Sequence, residues 1–296
     1  MKALLVALPI AVLMAAGMQP AAAERFNKTL PADARGEVEI VNVSGTVEVD
    51  GWDRAEVQVE AGLGSGVERL EFERDGQRTR IKVILPKGRA SSGSSDLRVK
   101  IPRNSSLSIN TVSADQRING VRGGQRLQAV SGDIETDAGP GELEAKTVSG
   151  DIRARGKDGK GPVRATSVSG DIRLDDIGTE VDLNTVTGDM TVRMDRLDRA
   201  RIKTTNGEML LDTALGKEAR IDAEAINGDL HFTLRGTVNA EFDIETFNGD
   251  IDNCFGPKPS RTREYGPGNE LRFTQGKGDA RVRIKTLNGG VMLCKR

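Results

Sequence analysis

A six-residue phrase, TVSGDI, occupies Thr147 to Ile152 and returns as SVSGDI from Ser167 and as TVTGDM from Thr185. With its glycine as position zero, copies fall at Gly132, Gly150, Gly170, Gly188, Gly207, Gly228, Gly249 and Gly289, and Ala114 in VSADQ is a degenerate copy upstream. The separations from Ala114 onward are 18, 18, 20, 18, 19, 21, 21 and 40 residues. A near-constant interval of this size is the mark of a solenoid. The last interval is twice the usual one. NELRFTQ, from Asn269, is expected to supply the missing copy, with asparagine standing where glycine usually does.

The columns of this alignment define two short strands per copy. Seven and five residues before the glycine stand pairs such as Leu143 and Ala145, Val163 and Ala165, Val181 and Leu183, and Ile221 and Ala223. Two and four residues after it stand Ile152 and Ala154, Ile172 and Leu174, Met190 and Val192, and Leu230 and Phe232. Alternate positions share one face of a strand, and the charged residues between them give that strand a wet face. Neither strand can bury its apolar side alone, whereas stacked copies can. The expected fold is therefore all-β, a single-chain parallel β-solenoid or β-helix with turns of 18–21 residues. Equivalent strands would pair in parallel at about 4.8 Å.

The phrase itself reads as the corner between the two strands. Glycine accepts a positive φ, and Ser131, Ser149, Ser169, Thr187, Asn206, Asn227, Asn248 and Asn288 stand just before it, able to bond the backbone of the bend. The change from serine to asparagine suggests two blocks of like residues bonding along the stack. Three positions before the glycine, Thr111, Thr147, Ser167, Thr185, Thr204, Thr246 and Thr286 recur, a structural column of strand-favouring hydroxyls. An acid follows the glycine at Asp133, Asp151, Asp171, Asp189, Glu208, Asp229 and Asp250. Stacked carboxylates repel unless they are solvated, paired with arginine or bridged by a cation. Arg153 and Arg173 are candidates for the pairing, and calcium is the alternative. The glycine-rich nonapeptide of calcium-binding β-rolls is lacking.

The ends are less regular. GEVEIVNVSGTVEVDGW, Gly36 to Trp52, resembles a first turn, with Val38, Ile40, Val47 and Val49 inward around Gly45. AEVQVEAGL, LEFERDGQRTRIKVILP and DLRVKIP read as longer alternating strands, with a hairpin at Asp75–Gly76 and a surface loop at Gly88 to Asp96. Residues 24–106 thus form an N-terminal cap continuous with solenoid repeats over 107–296, and Trp52 is a cap-packing residue in preference to a ligand platform. Residues 255–268, with three prolines, read as a projecting loop. Cys254 and Cys294 each stand five residues after a repeat glycine and are a disulfide candidate. An intervening copy at Asn269 would hold them about 9.6 Å apart, out of bridging range, unless the irregular loop displaces it.

Residues 1–23 combine Lys2, an apolar run and three closing alanines, the pattern of a secretory signal peptide cleaved after Ala23, with an uncleaved anchor as the alternative. No later stretch has the length of a membrane span. The expected location is the periplasm or the medium. The balance of 43 Lys and Arg against 44 Asp and Glu offers no basic field for nucleic acid or an anionic bilayer. His231 is the single histidine and is expected to point to solvent. A histidine-based triad or metal site is not expected, nor is any cofactor, since no phosphate-binding loop, dinucleotide fingerprint or CxxC is present. The competing class is the β-helix polysaccharide lyases and glycosidases, which use acids on an outer sheet face.

VSGTVEVDGWDRAEV, the tandem TVSGDI and FNGDI phrases and the terminal KTLNGGVML together resemble the bacterial β-strand repeat family known as putative adhesins, formerly a domain of unknown function. That resemblance implies a β-solenoid on an envelope or secreted protein and carries no catalytic residues. The expectation is a non-catalytic binding, adhesin-like or scaffold protein whose partner is an envelope protein or glycan.

Overall fold

The computed structural model describes residues 24–86, 93–156, 161–262 and 267–296. The expected signal peptide and most of the loop expected at Gly88 to Asp96 lie outside the described residues.

Every regular element among the described residues is a β-strand, and the strands form one continuous, mostly parallel β-solenoid. In the centre the register follows the alignment column by column. Leu143 lies opposite Val163 and Ala145 opposite Ala165. The next level sets Val163 opposite Val181 and Ala165 opposite Leu183. Around the corner, Ile152–Arg155 pairs with Ile172–Asp175, so Ile152 meets Ile172 and Ala154 meets Leu174. These side chains are all buried. Each copy roofs its neighbours with aliphatic stacks, at roughly 25 cal/mol per Å² of apolar surface removed from water. Further along, Met190–Asn206 and Met209–Asn227 each carry both sides of the coil in one strand and bend at register shifts between Met194 and Arg196 and between Leu197 and Arg199.

At the N-terminal end the order in space departs from the order in sequence. The strand Glu37–Trp52, with Val38, Ile40, Val47 and Val49 buried, pairs in parallel with Ser106–Val121 on one side. On its other side lie Arg78–Ile84 along its first half and Ser95–Pro102 along its second. The outermost parallel level is therefore later in sequence than the level it covers. Antiparallel strands close this end. Arg69–Asp75 folds onto Arg78–Ile84, Glu56–Leu63 onto Ser95–Pro102, and Glu24–Pro31 onto Glu56–Leu63. The hairpin at Gly76 has a φ of 58°. Phe26 and Phe72 meet edge to face at 6.4 Å over the cap. Trp52 donates its indole N–H to the Glu56 carbonyl at 2.8 Å and lies beneath Arg54 and Lys100.

The C-terminal end has the same interleaved order, and it overturns the expected copy at Asn269. Asn269–Gln275 is an antiparallel strand on Ala240–Asn248, with Asn269 opposite Thr246 and Gln275 opposite Ala240. The final strand pair, Ala280–Asn288 and Val291–Lys295, then inserts inside the stack. Ala280–Asn288 pairs in parallel with Met209–Asn227 on one face and with Ala240–Asn248 on the other. The segment expected to be a loop, 255–268, carries a two-residue strand, Ser260–Arg261, paired with Asn269–Gln275. Phe255 packs against Phe242 and Phe273, and Phe242 stacks on Phe273 at 4.6 Å.

This insertion places Cys254 and Cys294 on adjacent levels. They are bonded, with their Cα atoms 4.8 Å apart. The separation of about 9.6 Å that an intervening copy would impose does not arise, because no level lies between them.

Candidate binding surface

The repeat glycines sit where one level rests directly on the next. A Cβ on Gly150 would lie 2.2 Å from the carbonyl oxygen of Gly132, and one on Gly170 would lie 2.1 Å from that of Gly150. The φ of Gly150 is 150°. Close stacking of backbone, as much as the dihedral, therefore excludes any side chain. Gly188, Gly207 and Gly228 continue the line, and each Cβ would strike the glycine carbonyl of the level before. Beyond Gly228 the contacts run to Gly289 and from there to Gly249, the interleaved order again.

Three polar columns surround this line. The hydroxyls of the threonine column face inward and are buried. Thr246 donates to the Gly289 carbonyl at 3.2 Å and Thr286 to that of Gly228 at 3.4 Å. The asparagines form a ladder. Asn227 donates its amide to Asn206 at 2.8 Å, Asn288 to Asn227 at 2.7 Å, and Asn248 to Asn288 at 2.9 Å. The acids form another. The backbone N–H of Asp151 donates to Oδ1 of Asp133 at 2.9 Å, that of Asp171 to Asp151 at 2.9 Å, that of Asp189 to Asp171 at 2.8 Å, and that of Glu208 to Asp189 at 2.8 Å. A carboxylate receiving an amide proton from the next level makes a charge-assisted bond, and this accounts for an acid in the column. Arg153 bridges Asp151 at 2.7 Å and Asp133 at 3.4 Å. Arg173 turns instead to Asp175 at 2.8 Å, so the expected pairing with the acid column is corrected for that residue.

A fourth column was not anticipated. Two residues before each glycine stand Val112, Val130, Val148, Val168, Val186, Thr205, Ile226, Leu287 and Phe247, in spatial order. The eight apolar members are 44–50% exposed. They continue the phase opposite to the inward residues, which places them outside, and at about 4.8 Å per level the column is about 38 Å long. The signal was present in the sequence: an apolar residue at an outward position in nearly every copy. It was masked because valine also suits any strand on backbone grounds.

At its C-terminal end the column broadens. Ile226, Leu287 and Phe247 line a groove of about 570 Å³ together with Thr262, Pro267 and Gly268. Lys203, Glu224, Lys285 and Glu245, on the same outward face of these strands, line it as well. Lys203 lies 2.7 Å from Glu224 and Lys285 lies 2.5 Å from Glu245. The hydrogen bond from Lys203 holds the Glu224 carboxyl below the usual carboxylate range. Those from Lys285 and then Arg272 do the same for Glu245. These four groups are paired with one another.

His231 stands half-buried on an outer strand face between Leu210 and Met292 of the neighbouring levels. No group of three or more His, Cys, Asp or Glu side chains among the described residues is placed to hold a metal ion. No helix among the described residues is long and apolar enough to cross a membrane.

Fold and surface together define a parallel β-solenoid with an exposed apolar edge and closed ends. The family model Toastrack DUF4097 matches residues 28–194 and again 164–293, and the chain belongs to this family. Among solved structures, a putative lipid binding protein from Parabacteroides distasonis shares the fold at 14% identity, with 92% of this chain and 96% of that chain covered and a TM-score of 0.54. A putative adhesin from Bacteroides fragilis aligns at 11% identity over 91% of this chain and 96% of its own, with a TM-score of 0.44. A putative cell adhesion protein from Clostridium sporogenes aligns at 9% identity over 93% and 100%, with a TM-score of 0.27. No curated protein matches this chain.

Proposed function

We propose that this protein is an exported, non-catalytic binding or scaffold module of the bacterial envelope, and that its working surface is the apolar column with the groove at its C-terminal end. The observation that carries the reading is the column itself. A solvated stack needs polar residues on its outer phase, yet eight positions on one line keep aliphatic or aromatic side chains nearly half exposed. An apolar strip of this extent marks an interaction surface. Export is supported by the disulfide, which persists in an oxidising compartment, and by the leader-like pattern of residues 1–23. The absence of catalysis is supported by carboxylates that are already held in backbone ladders and ion pairs.

Three measurements test this. Fractionation of the producing cell should recover the protein outside the cytoplasm with Cys254 and Cys294 oxidised. A pull-down from envelope extract should lose its bound protein or glycan when Ile226, Leu287 and Phe247 are all changed to serine, with the melting temperature little changed. Capture that ignores these changes sinks the proposed surface. Depolymerisation of an envelope polysaccharide, abolished by changing one of Asp151, Asp171 or Asp189, would replace the binding reading with an enzymatic one.

A further inference from the structure

Taking the apolar column as the binding surface, we infer that the partner it fits is a second copy of this chain, with the two stacks side by side and pointing the same way. The inference rests on the preceding reading of the column and adds the identity of its occupant.

Pitch is the first argument. The column presents one branched or aromatic side chain per level at about 4.8 Å over about 38 Å. A partner that interdigitates along the whole strip must repeat at the same spacing over the same length, and an identical strip does so by symmetry. A twofold interface of this kind is self-complementary by construction.

Area is the second. Eight apolar side chains at 44–50% exposure amount to on the order of 600 Å² per copy, the upper end for a patch on a monomer. Two such strips bury about 1,200 Å², the lower bound of a stable specific interface.

Charge is the third, and it selects the orientation. On one side of the strip runs the acid column, in which Oδ1 of Asp133, Asp151 and Asp171 is taken by the next level's N–H. Arg153 takes the second oxygen of Asp133 and of Asp151, so the acids left to act outward are the exposed Asp171 and Asp189. On the other side, four residues before each glycine, run Gln128, Lys146, Thr166, Asn184 and Lys203, of which Lys146, Asn184 and Lys203 also bond Glu144, Asp182 and Glu224 within the chain. A twofold axis along the stack sets each copy's carboxylates against the other's donors. An axis across the stack sets carboxylates against carboxylates, which repel. Glu224 and Glu245 interrupt the donor column near the end, but each is already held by a lysine. The same acid column disfavours an anionic bilayer as the occupant.

Analytical ultracentrifugation of the purified protein should show a monomer–dimer equilibrium, and Val148→Lys with Val168→Lys should weaken it by more than about a hundredfold. Both positions are exposed, so the melting temperature should stay near that of the parent. The native cysteines are bonded to each other, so single cysteines report the orientation. With the axis along the stack, Val112→Cys, Val186→Cys and Leu287→Cys should each give an oxidised homodimer. Crosslinking of Val186→Cys alone, the middle of the strip, would overturn the parallel arrangement. A monomer at every concentration, or a dimer indifferent to the lysine changes, would overturn the inference. Flotation with neutral and anionic vesicles, without self-association, would assign the strip to a bilayer instead. Loss of an envelope partner from the serine-substituted groove, with a monomeric parent, would leave the binding reading standing while removing the dimer.

Discussion

The side-chain amide of Asn288 donates to Oδ1 of Asn227 at 2.7 Å across 61 residues of sequence, and accepts from Asn248, 40 residues before it. The last copy thus lies between two earlier ones. Asn227→Ala removes one donor and one acceptor from the middle of the ladder and should lower the unfolding free energy by about 1 kcal/mol, since exposed amide bonds are worth little each. Urea unfolding gives the value. A cost below a few tenths would mean that the ladder is ornamental and that backbone pairing alone sets the order.

Glycine at the corner is a stricter requirement. Gly150→Ala drives a methyl to 2.2 Å from the Gly132 carbonyl and should cost about 3 kcal/mol. Gly62→Ala is the control, because a Cβ there meets nothing within 4 Å, and it should shift stability by no more than about 0.5 kcal/mol. Equal effects at the two sites would refute the close-stacking account.

The disulfide closes a separation of 40 residues and ties the inserted copy to the level outside it. Changing Cys254 and Cys294 together to serine should cost about 2–4 kcal/mol. Hydrogen exchange should then show Ala240–Asn248 and Asn269–Gln275 opening before the centre of the stack. Uniform opening would place the tie elsewhere.

The acid column separates two accounts of its charge. Asp151→Asn keeps an oxygen to accept the Asp171 N–H and should be tolerated, whereas Asp151→Ala should cost about 1 kcal/mol. Melting temperatures in calcium and in chelator should coincide for the parent protein. A rise with calcium would instead assign the column to a cation.

Acid should weaken the levels whose carboxyls are held depressed, Glu144 in the central tract as well as Glu224 and Glu245 further along. Glu245 and Glu224 have carboxyls held below their ordinary values by Lys285 with Arg272 and by Lys203. A carboxyl depressed in the folded state contributes stability that is present above its unfolded value, near pH 4.3, and is lost as pH falls through the folded value. Stability should be level from neutral pH to about pH 5 and then decline. Glu245→Gln should flatten that decline, by under about 1 kcal/mol because the pair is partly solvated. An unchanged slope would show that other carboxylates govern it.

What the sequence made legible was whatever a period carries. Inward pairs such as Leu143 and Ala145 declare a strand face in two residues, and Gly150 declares a corner in one. Strand direction has no such mark. NELRFTQ alternates equally well as a parallel level or as an antiparallel cover, and only the register of Asn269 with Thr246 tells them apart. The interval of 40 residues is therefore compatible with a missing copy, and whether Cys254 and Cys294 can bond turns on whether that copy intervenes; it does not. The apolar column was hidden for a different reason. Val148 and Val168 lie inside the very phrase that marks the corner, where their branching already explains them, so their exposure became visible only once the coil was built.

The interleaved ends limit how such a molecule can grow. In the middle, from Gln125 to Thr187, neighbours in sequence are neighbours in space, so a duplicated or deleted unit changes length without disturbing its surroundings. At either tip the outermost coil is not the terminal one, and an appended unit would have no vacant seat to occupy. Longer and shorter relatives should accordingly differ by whole units in the central tract, with both tips kept intact.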